Sequence, residues 1–396
     1  LTVLDPGIAS DTLHAFELTP PGRGAIATIL VCGPGATDTV QGWFQSTSGR
    51  LIASQPIGRI LFGCWRSADL HFELGEELVV CRRGTETVEI HCHGGRAAVT
   101  TILNSLSQSG CRAIEWREFL QRFSDDPIAI AATQALTQAR TARTAAILLD
   151  QRQGALREAL MEVLRSLDSG DVSAAEQALR ELASRSHLGM HLTAPFRVVL
   201  AGPPNVGKSS LINALVGYQR AIVFDQPGTT RDVVTATTAI DGWPIELSDT
   251  AGLRAATDHL EAAGVALAHE QLAKADCRVL VFDTSEPWGE VHSQLVKEWM
   301  PALVVFSKCD LRATALDARP QGLSTSVVTG EGIADLVQAI STWLVADPPT
   351  LGDAVPFTTM QKASIESAIE LLARGNVISA QQKIAHLLDS AKIDPR

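Results

Sequence analysis

The 396 residues are 45% hydrophobic and 19% charged, an ordinary composition for soluble protein, and the length suits two or three domains that each bury a core. A net charge of −11 argues against a broadly basic nucleic-acid surface, although it leaves room for a local RNA contact. Seven cysteines, an odd number with no CxxC pair, read as reduced thiols. With no apolar run of about 18 residues, the expectation is a cytoplasmic chain without membrane insertion.

Residues 1–122 read as a strand-rich unit, with short apolar or alternating runs at Ala25–Val31, Arg59–Trp65, Glu77–Cys81 and Thr87–His91 and a helix over Arg96–Gln108. His91, Cys92 and His93 look like a metal cluster, but strand neighbours point to opposite faces, so only the two histidines share one and zinc is not expected. Asp126–Arg165 is rich in Ala, Leu and Gln and has few turn signals. It predicts one continuous helix, either an elongated domain or a coiled contact between subunits. A second helix begins at Asp171, with Ala175, Leu179 and Leu182 on one stripe.

From about 196 to 346 the pattern is α/β, with strands expected at 196–201, 221–224, 234–240, 244–248, 277–282, 302–306 and 323–327. Pro348-Pro349 breaks it, and helices return at 359–374 and 376–391. These two have too little core to stand alone and are expected to pack on the 126–188 helices. The chain then divides into 1–122, a first helical part at 123–194, a nucleotide domain at 195–347 and a second helical part at 348–396.

The nucleotide assignment rests on Gly202-Pro203-Pro204-Asn205-Val206-Gly207-Lys208-Ser209-Ser210, a phosphate loop between the strand-like Phe196–Ala201 and a helical stretch. Its backbone N–H groups curl around phosphate, Lys208 reaches the terminal phosphates, and Ser209 offers a hydroxyl to Mg²⁺. Asp249 ends a strand where a carboxylate can hold a Mg²⁺ water, and Gly252 in the following Ala251-Gly252 can swing its N–H to a γ-phosphate. Between them, the Pro227-Gly228-Thr229-Thr230 loop supplies a threonine, Thr230, for the Mg²⁺ shell. After the strand 302–306 comes Ser307-Lys308-Cys309-Asp310: the Asp310 carboxylate matches the two N–H donors on the guanine edge, and the Lys308 stem can lie along the ring. Adenine lacks that donor pair, so the expected ligand is GTP.

Together these segments resemble the MnmE (TrmE) family of bacterial tRNA-modification GTPases over nearly the whole chain. The matching segments are TPPGRGAIA at 19–27, EIHCHGG at 89–95, GPPNVGKSSLINAL at 202–215, PGTTRDVV at 227–234, DTAGLR at 249–254 and TGEGI at 329–333. The resemblance implies a multidomain α/β plus α fold: a Ras-like P-loop GTPase domain inserted in a helical domain, preceded by a strand-rich α+β unit that binds folate and dimerises. It also implies a K⁺ ion beside the phosphates, held by Asn205 and by the 224–230 loop, including Phe224, Gln226 and Gly228, largely through backbone oxygens. The catalytic set it implies is Lys208, Thr230 and Glu261, the last orienting water through a relay. Ser326 stands in the SAK-like base loop, with its backbone toward the guanine carbonyl.

The family role is wobble-uridine modification of tRNA, using a tetrahydrofolate derivative and an FAD-containing partner of the MnmG (GidA) type, by a homodimer. Departures fall at both ends. Ser307 replaces the asparagine of the base motif, which is expected to weaken one base-side hydrogen bond. Leu30 replaces an arginine, and of the family's folate region Glu118 and Arg122 remain. The family's tail carries a cysteine, whereas here no cysteine follows Cys309. These departures raise an alternative reading, a GTP-dependent regulatory or assembly switch that has lost the tRNA chemistry.

Overall fold

The computed structural model describes residues 12–19, 24–66, 75–123, 126–218, 235–249, 268–311 and 319–389, in two compact units, 1–125 and 126–396. In the first unit, β1 (His14–Glu17), β2 (Ile26–Cys32), β3 (Phe44–Ser46), β4 (Ile60–Trp65), β5 (Glu76–Arg82), β6 (Thr87–His93) and β7 (Arg112–Ala113) form one sheet in the order β3-β4-β5-β6-β2-β1-β7. Helices α1 (Ala36–Trp43), α2 (Arg96–Gln108) and α3 (Trp116–Phe123) complete it. Strand β2 is buried on both faces, and its alternation assigns each side chain to a core. Ala27, Ile29 and Val31 join Val40 of α1 and Ile102 and Leu106 of α2, while Leu30 and Cys32 join Phe16 and Phe119 of α3. The Phe16 and Phe119 rings sit 4.5 Å apart. His91 and His93 do share a face of β6, but their partners differ: His91 Nδ1 is 3.0 Å from the Thr28 hydroxyl, and His93 Nδ1 is 2.7 Å from Glu76.

In the second unit the expected single helix over 126–165 is three: α4 (Pro127–Leu136), α5 (Ala142–Arg152) and α6 (Ala155–Asp168). Composition reports helix propensity but not where caps interrupt it. Asp126 caps α4 by accepting from the N–H groups of Ile128 and Ala129, with Pro127 in the first turn. Thr141 and Thr144 make a reciprocal capping box at the start of α5, and Gly154, at φ 113°, turns the chain before α6. The three helices fold back on one another rather than extending as a rod. Helix α7 (Val172–Met190) then leads into a second sheet.

That sheet contains β8 (Phe196–Ala201), β9 (Thr235–Ile240), β10 (Trp243–Asp249), β11 (Cys277–Asp283), β12 (Leu303–Ser307) and β13 (Leu323–Ser324), ordered β13-β12-β11-β8-β10-β9. All neighbours are parallel except β9, which forms an antiparallel hairpin with β10. Val198 and Leu200 of β8 face the layer holding α8 (Lys208–Tyr218) and α10 (Ile333–Leu344). Val199 and Ala201 face the layer holding α9 (Glu290–Trp299). Helices on both faces of a mainly parallel sheet define the doubly wound arrangement. The expected strand 221–224 lies outside the described residues, and the one expected at 323–327 is only two residues long.

Helices α11 (Thr359–Ala373) and α12 (Val377–Leu388) pack on α7 and α6 respectively, so residues on both sides of the second sheet share one core, from Leu148 and Leu179 to Ile365 and Ile384. The segment returning from α10 is fastened to this bundle. Gln151 donates to the Asp353 carbonyl (2.9 Å) and accepts from the Val355 N–H (3.0 Å), and Arg185 donates to the Ala354 carbonyl (3.3 Å). Gly189 lies so close that a Cβ there would collide with the Pro356 carbonyl oxygen.

Candidate functional site

The loop between β8 and α8 turns on three positive-φ residues: Gly202 at 149°, Asn205 at 61° and Gly207 at 94°. Gly202 is required for a second reason, because a Cβ there would run into the Val281 carbonyl of the adjacent strand. Lys208 opens α8, is 3% exposed, and donates from Nζ to the carbonyls of Gly202 (3.1 Å) and Pro203 (2.7 Å). The cation therefore sits inside its own loop, at the positive end of a helix. Next to it the Ser209 hydroxyl donates to Asp249 Oδ2 at 2.7 Å. Asp249 is the last residue of β10 and is 2% exposed. The two residues assigned to Mg²⁺ by their motifs are thus in direct contact, with the Ser209 oxygen lone pairs left for a cation. Val206 is fully buried beneath the loop and Ser210 is exposed on α8.

The base motif reaches the same loop from the other side. Lys308, at φ 57°, donates from Nζ to the Asn205 carbonyl (2.9 Å) and to Asp283 Oδ2 (2.6 Å). Ser307 does not face outward as a base ligand would. It is 4% exposed and its hydroxyl donates to the Val206 carbonyl at 2.6 Å, with the Phe282 carbonyl at 3.1 Å. It acts on the phosphate loop from below rather than on the base. Asp310 is exposed beyond the end of β12. Ser326 is fully buried, its N–H donating to the Glu331 carbonyl (2.9 Å), and the residues that follow it, Val327 to Glu331, are exposed.

Asp283, at the end of β11, is a residue that motif reading passes over. Burial works to raise its carboxyl, but hydrogen bonds from Lys308 and Ser285 outweigh it and hold the group below the usual carboxylate range. Its sequence signal is the same as that of Asp249: an acid at the carboxyl end of a parallel strand, where open α/β sheets bind ligands.

Phe224, Gln226, Gly228, Thr229, Thr230, Gly252 and Glu261 lie outside the described residues. In the first unit, Glu118 is half-buried on α3, 3.8 Å from Arg112, and Arg122 lies one turn later on the same helix. Leu30 packs under Phe119, so this position offers apolar surface only.

Two family models match: one described as the 50S ribosome-binding GTPase over residues 197–308, and one described as the N-terminus of the GTP-binding protein TrmE over residues 14–124. The tRNA modification GTPase MnmE of Parasynechococcus marenigrum (strain WH8102) is 34% identical over 94% of this chain and 90% of its own length. The chain belongs to the MnmE family. The MnmE of Heliobacterium modesticaldum (strain ATCC 51547 / Ice1) is 31% identical, covering 86% of this chain and 82% of its own. Among solved structures, the G domain of the T. maritima FeoB iron transporter aligns at 28% identity over 37% of this chain and 98% of that one, with a TM-score of 0.28. The match to the 50S ribosome-binding GTPase model, residues 197–308, spans the phosphate loop, Asp249, Asp283 and Lys308. Among the described residues no helix is long and apolar enough to cross a membrane.

Proposed function

We propose that this protein binds GTP with Mg²⁺, hydrolyses it to GDP and phosphate, and uses that cycle in modifying the wobble uridine of tRNA in the cytoplasm. The observation that carries the reading is the convergence of Lys208, the Ser209–Asp249 pair and the Ser307–Lys308–Asp310 segment at the carboxyl ends of β8, β10 and β12 in an MnmE-family chain. Lys208 and the loop N–H groups hold the β- and γ-phosphates and stabilise charge as it shifts toward the leaving group. Ser209, Thr230 and, through a water, Asp249 would hold Mg²⁺, which would supply further positive charge to the phosphates. Asp310 selects guanine, and Glu261 orients the attacking water.

A K⁺ ion fits the same loop. The Asn205 carbonyl is already taken by Lys308, so its exposed side chain is the group available to an ion beside the phosphates, joined by Phe224, Gln226, Gly228 and Thr229. We assign residues 1–122 to homodimerisation and to a tetrahydrofolate derivative near Glu118 and Arg122. Residues 123–194 and 348–396 are assigned to one helical domain in two parts, and 195–347 to the GTPase domain. An FAD-containing MnmG-type protein and tRNA are the partners. Calorimetry with Mg²⁺ should give at least a hundredfold preference for GTP over ATP, and turnover should be faster in K⁺ than in Na⁺ at matched ionic strength. Equal affinities or equal rates would reject the corresponding assignment. Mass spectrometry of wobble uridines in a deletion strain, with and without this gene, tests the tRNA role; GTP turnover with no restored uridine product would favour a switch.

A further inference from the structure

At the far end of the second sheet from the phosphate loop, α7, β8, α10 and the start of β11 meet around three potential ligands. His187 in the last turn of α7 and His191 at its C-cap stand four positions apart, so both imidazoles lie on one side of the helix end. Asp276 precedes β11 and lies opposite them: its Oδ1 is 3.6 Å from His187 Nε2 and 3.5 Å from His191 Nε2. All three donor atoms fall within 4.8 Å of one another. A tetrahedral ion with bonds of about 2.0–2.1 Å places its ligand atoms roughly 3.3–3.4 Å apart, within a few tenths of an ångström of the two histidine–Asp276 separations.

The surroundings orient these groups as a metal's outer partners do. The Pro195 carbonyl is 3.3 Å from His191 Nδ1, which turns Nε2 toward the carboxylate, and the ring stacks on Phe196 at 3.9 Å. Asp276 Oδ2 accepts the Arg197 N–H at 2.7 Å, leaving Oδ1 for the histidines. The Asp276 backbone is fixed as well: its N–H donates to the Arg197 carbonyl (2.9 Å), and its carbonyl accepts from the Trp343 indole of α10 (3.1 Å). His187 is largely exposed, which provides a path from solvent. Lys362 of α11, a cation that acts on His187, pairs at 4.0 Å with Glu366.

We propose that His187, His191 and Asp276 form a binding site for a Zn²⁺-class divalent transition metal, with water in the fourth position, which clamps the end of α7 to the start of β11, an interior strand of the nucleotide-binding sheet. Two imidazoles and a carboxylate suit a borderline ion of this kind and disfavour Mg²⁺, which takes oxygen ligands. Because α7 runs directly into β8 and the phosphate loop, a bound ion ties the bundle to the element that carries nucleotide.

The test uses the untagged full chain, stripped with chelator and held in excess Mg²⁺ and GDP so that the nucleotide site is occupied. Zn²⁺ is titrated in competition with a chromophoric chelator, and Co²⁺ is used as a spectroscopic substitute. The expected result is one tight equivalent, an intense four-coordinate Co²⁺ band, and a Zn²⁺-dependent rise in thermal midpoint. His187→Ala, at an exposed position that leaves the fold undisturbed, should weaken Zn²⁺ at least tenfold and abolish that rise. Asp276→Asn, whose amide oxygen can still accept the Arg197 N–H, should do the same. Zn²⁺ affinity within twofold of the parent in both variants, or a parent with no four-coordinate Co²⁺ band, would overturn the proposal.

Discussion

Replacing Ser307 with alanine removes a single hydroxyl proton from beneath the phosphate loop. That proton goes to the nearer acceptor, the Val206 carbonyl at 2.6 Å, with the Phe282 carbonyl at 3.1 Å as the alternative. The site is 4% exposed, so water cannot take the place of the lost donor. A buried acceptor left unpaired costs about 1–3 kcal/mol. The residual void is the size of one oxygen atom and adds little. Because the loop must hold its shape against the phosphates, we expect the loss to appear in binding: GDP affinity falls by about 5- to 30-fold, equivalent to roughly 1–2 kcal/mol. A fluorescent-GDP titration reads this directly. Trp288, whose ring lies 4.9 Å from Phe282, reports whether the strand beneath stays native. GDP affinity within twofold of the parent, with the emission of a variant that keeps Trp288 as its single tryptophan unchanged, would refute the idea that this hydroxyl holds the loop.

Lys208→Ala removes two charge-assisted donations to the loop as well as the contact with phosphate, so GTP affinity and turnover should each fall at least a hundredfold in a radiometric assay. Asp310→Asn exchanges a carboxylate acceptor for an amide donor, which suits the C2 carbonyl of xanthine. Competition titrations should then show weakened GDP and strengthened XDP. Burial pushes the thiols of Cys32, Cys111 and Cys277 up to about 12 and that of Cys92 to about 11, and Cys81 is closed off from solvent, so maleimide labelling of the native protein should be confined to the partly exposed Cys64 and Cys309, more slowly at Cys309, whose thiol burial also raises. Cys309 lies between Lys308 and Asp310, and GDP should slow its modification but not that of Cys64.

The doubly wound sheet was readable because each of its long strands carries an apolar run flanked by helical pattern. The phosphate loop was readable because Gly202, Gly207 and Lys208 obey local steric and charge rules. What stayed hidden depends on partners distant in sequence. Ser307 has the same residue identity whether it faces a base or a loop carbonyl, and only the 101-residue separation closed by folding decides between them. Asp283 becomes conspicuous once Lys308 is placed beside it. The breaks between α4, α5 and α6 had local signals in Thr141, Thr144 and Gly154, but the surrounding Ala and Leu content outweighed them. Strand β1, only four residues long, is defined by its pairing with β2 and β7 more than by its own pattern.

The near-collision of Gly189 with the Pro356 carbonyl means that the backbone leaves the helical bundle and rejoins it at almost the same point in space. Everything between, more than 150 residues, is a closed excursion whose two feet touch. Closing such a detour with a short linker adds little chain entropy, because the ends are already together. The bundle of α4–α7 with α11 and α12 therefore holds the makings of a self-sufficient fold. The same pinch governs mechanics: with the outgoing foot continuous with α7 and the returning foot gripped by Gln151 and Arg185, the second sheet cannot spin on one strand. Any swing it makes has to pull on α7 and the 350–357 strap at once, which delivers motion at the nucleotide to the helices as a paired tug.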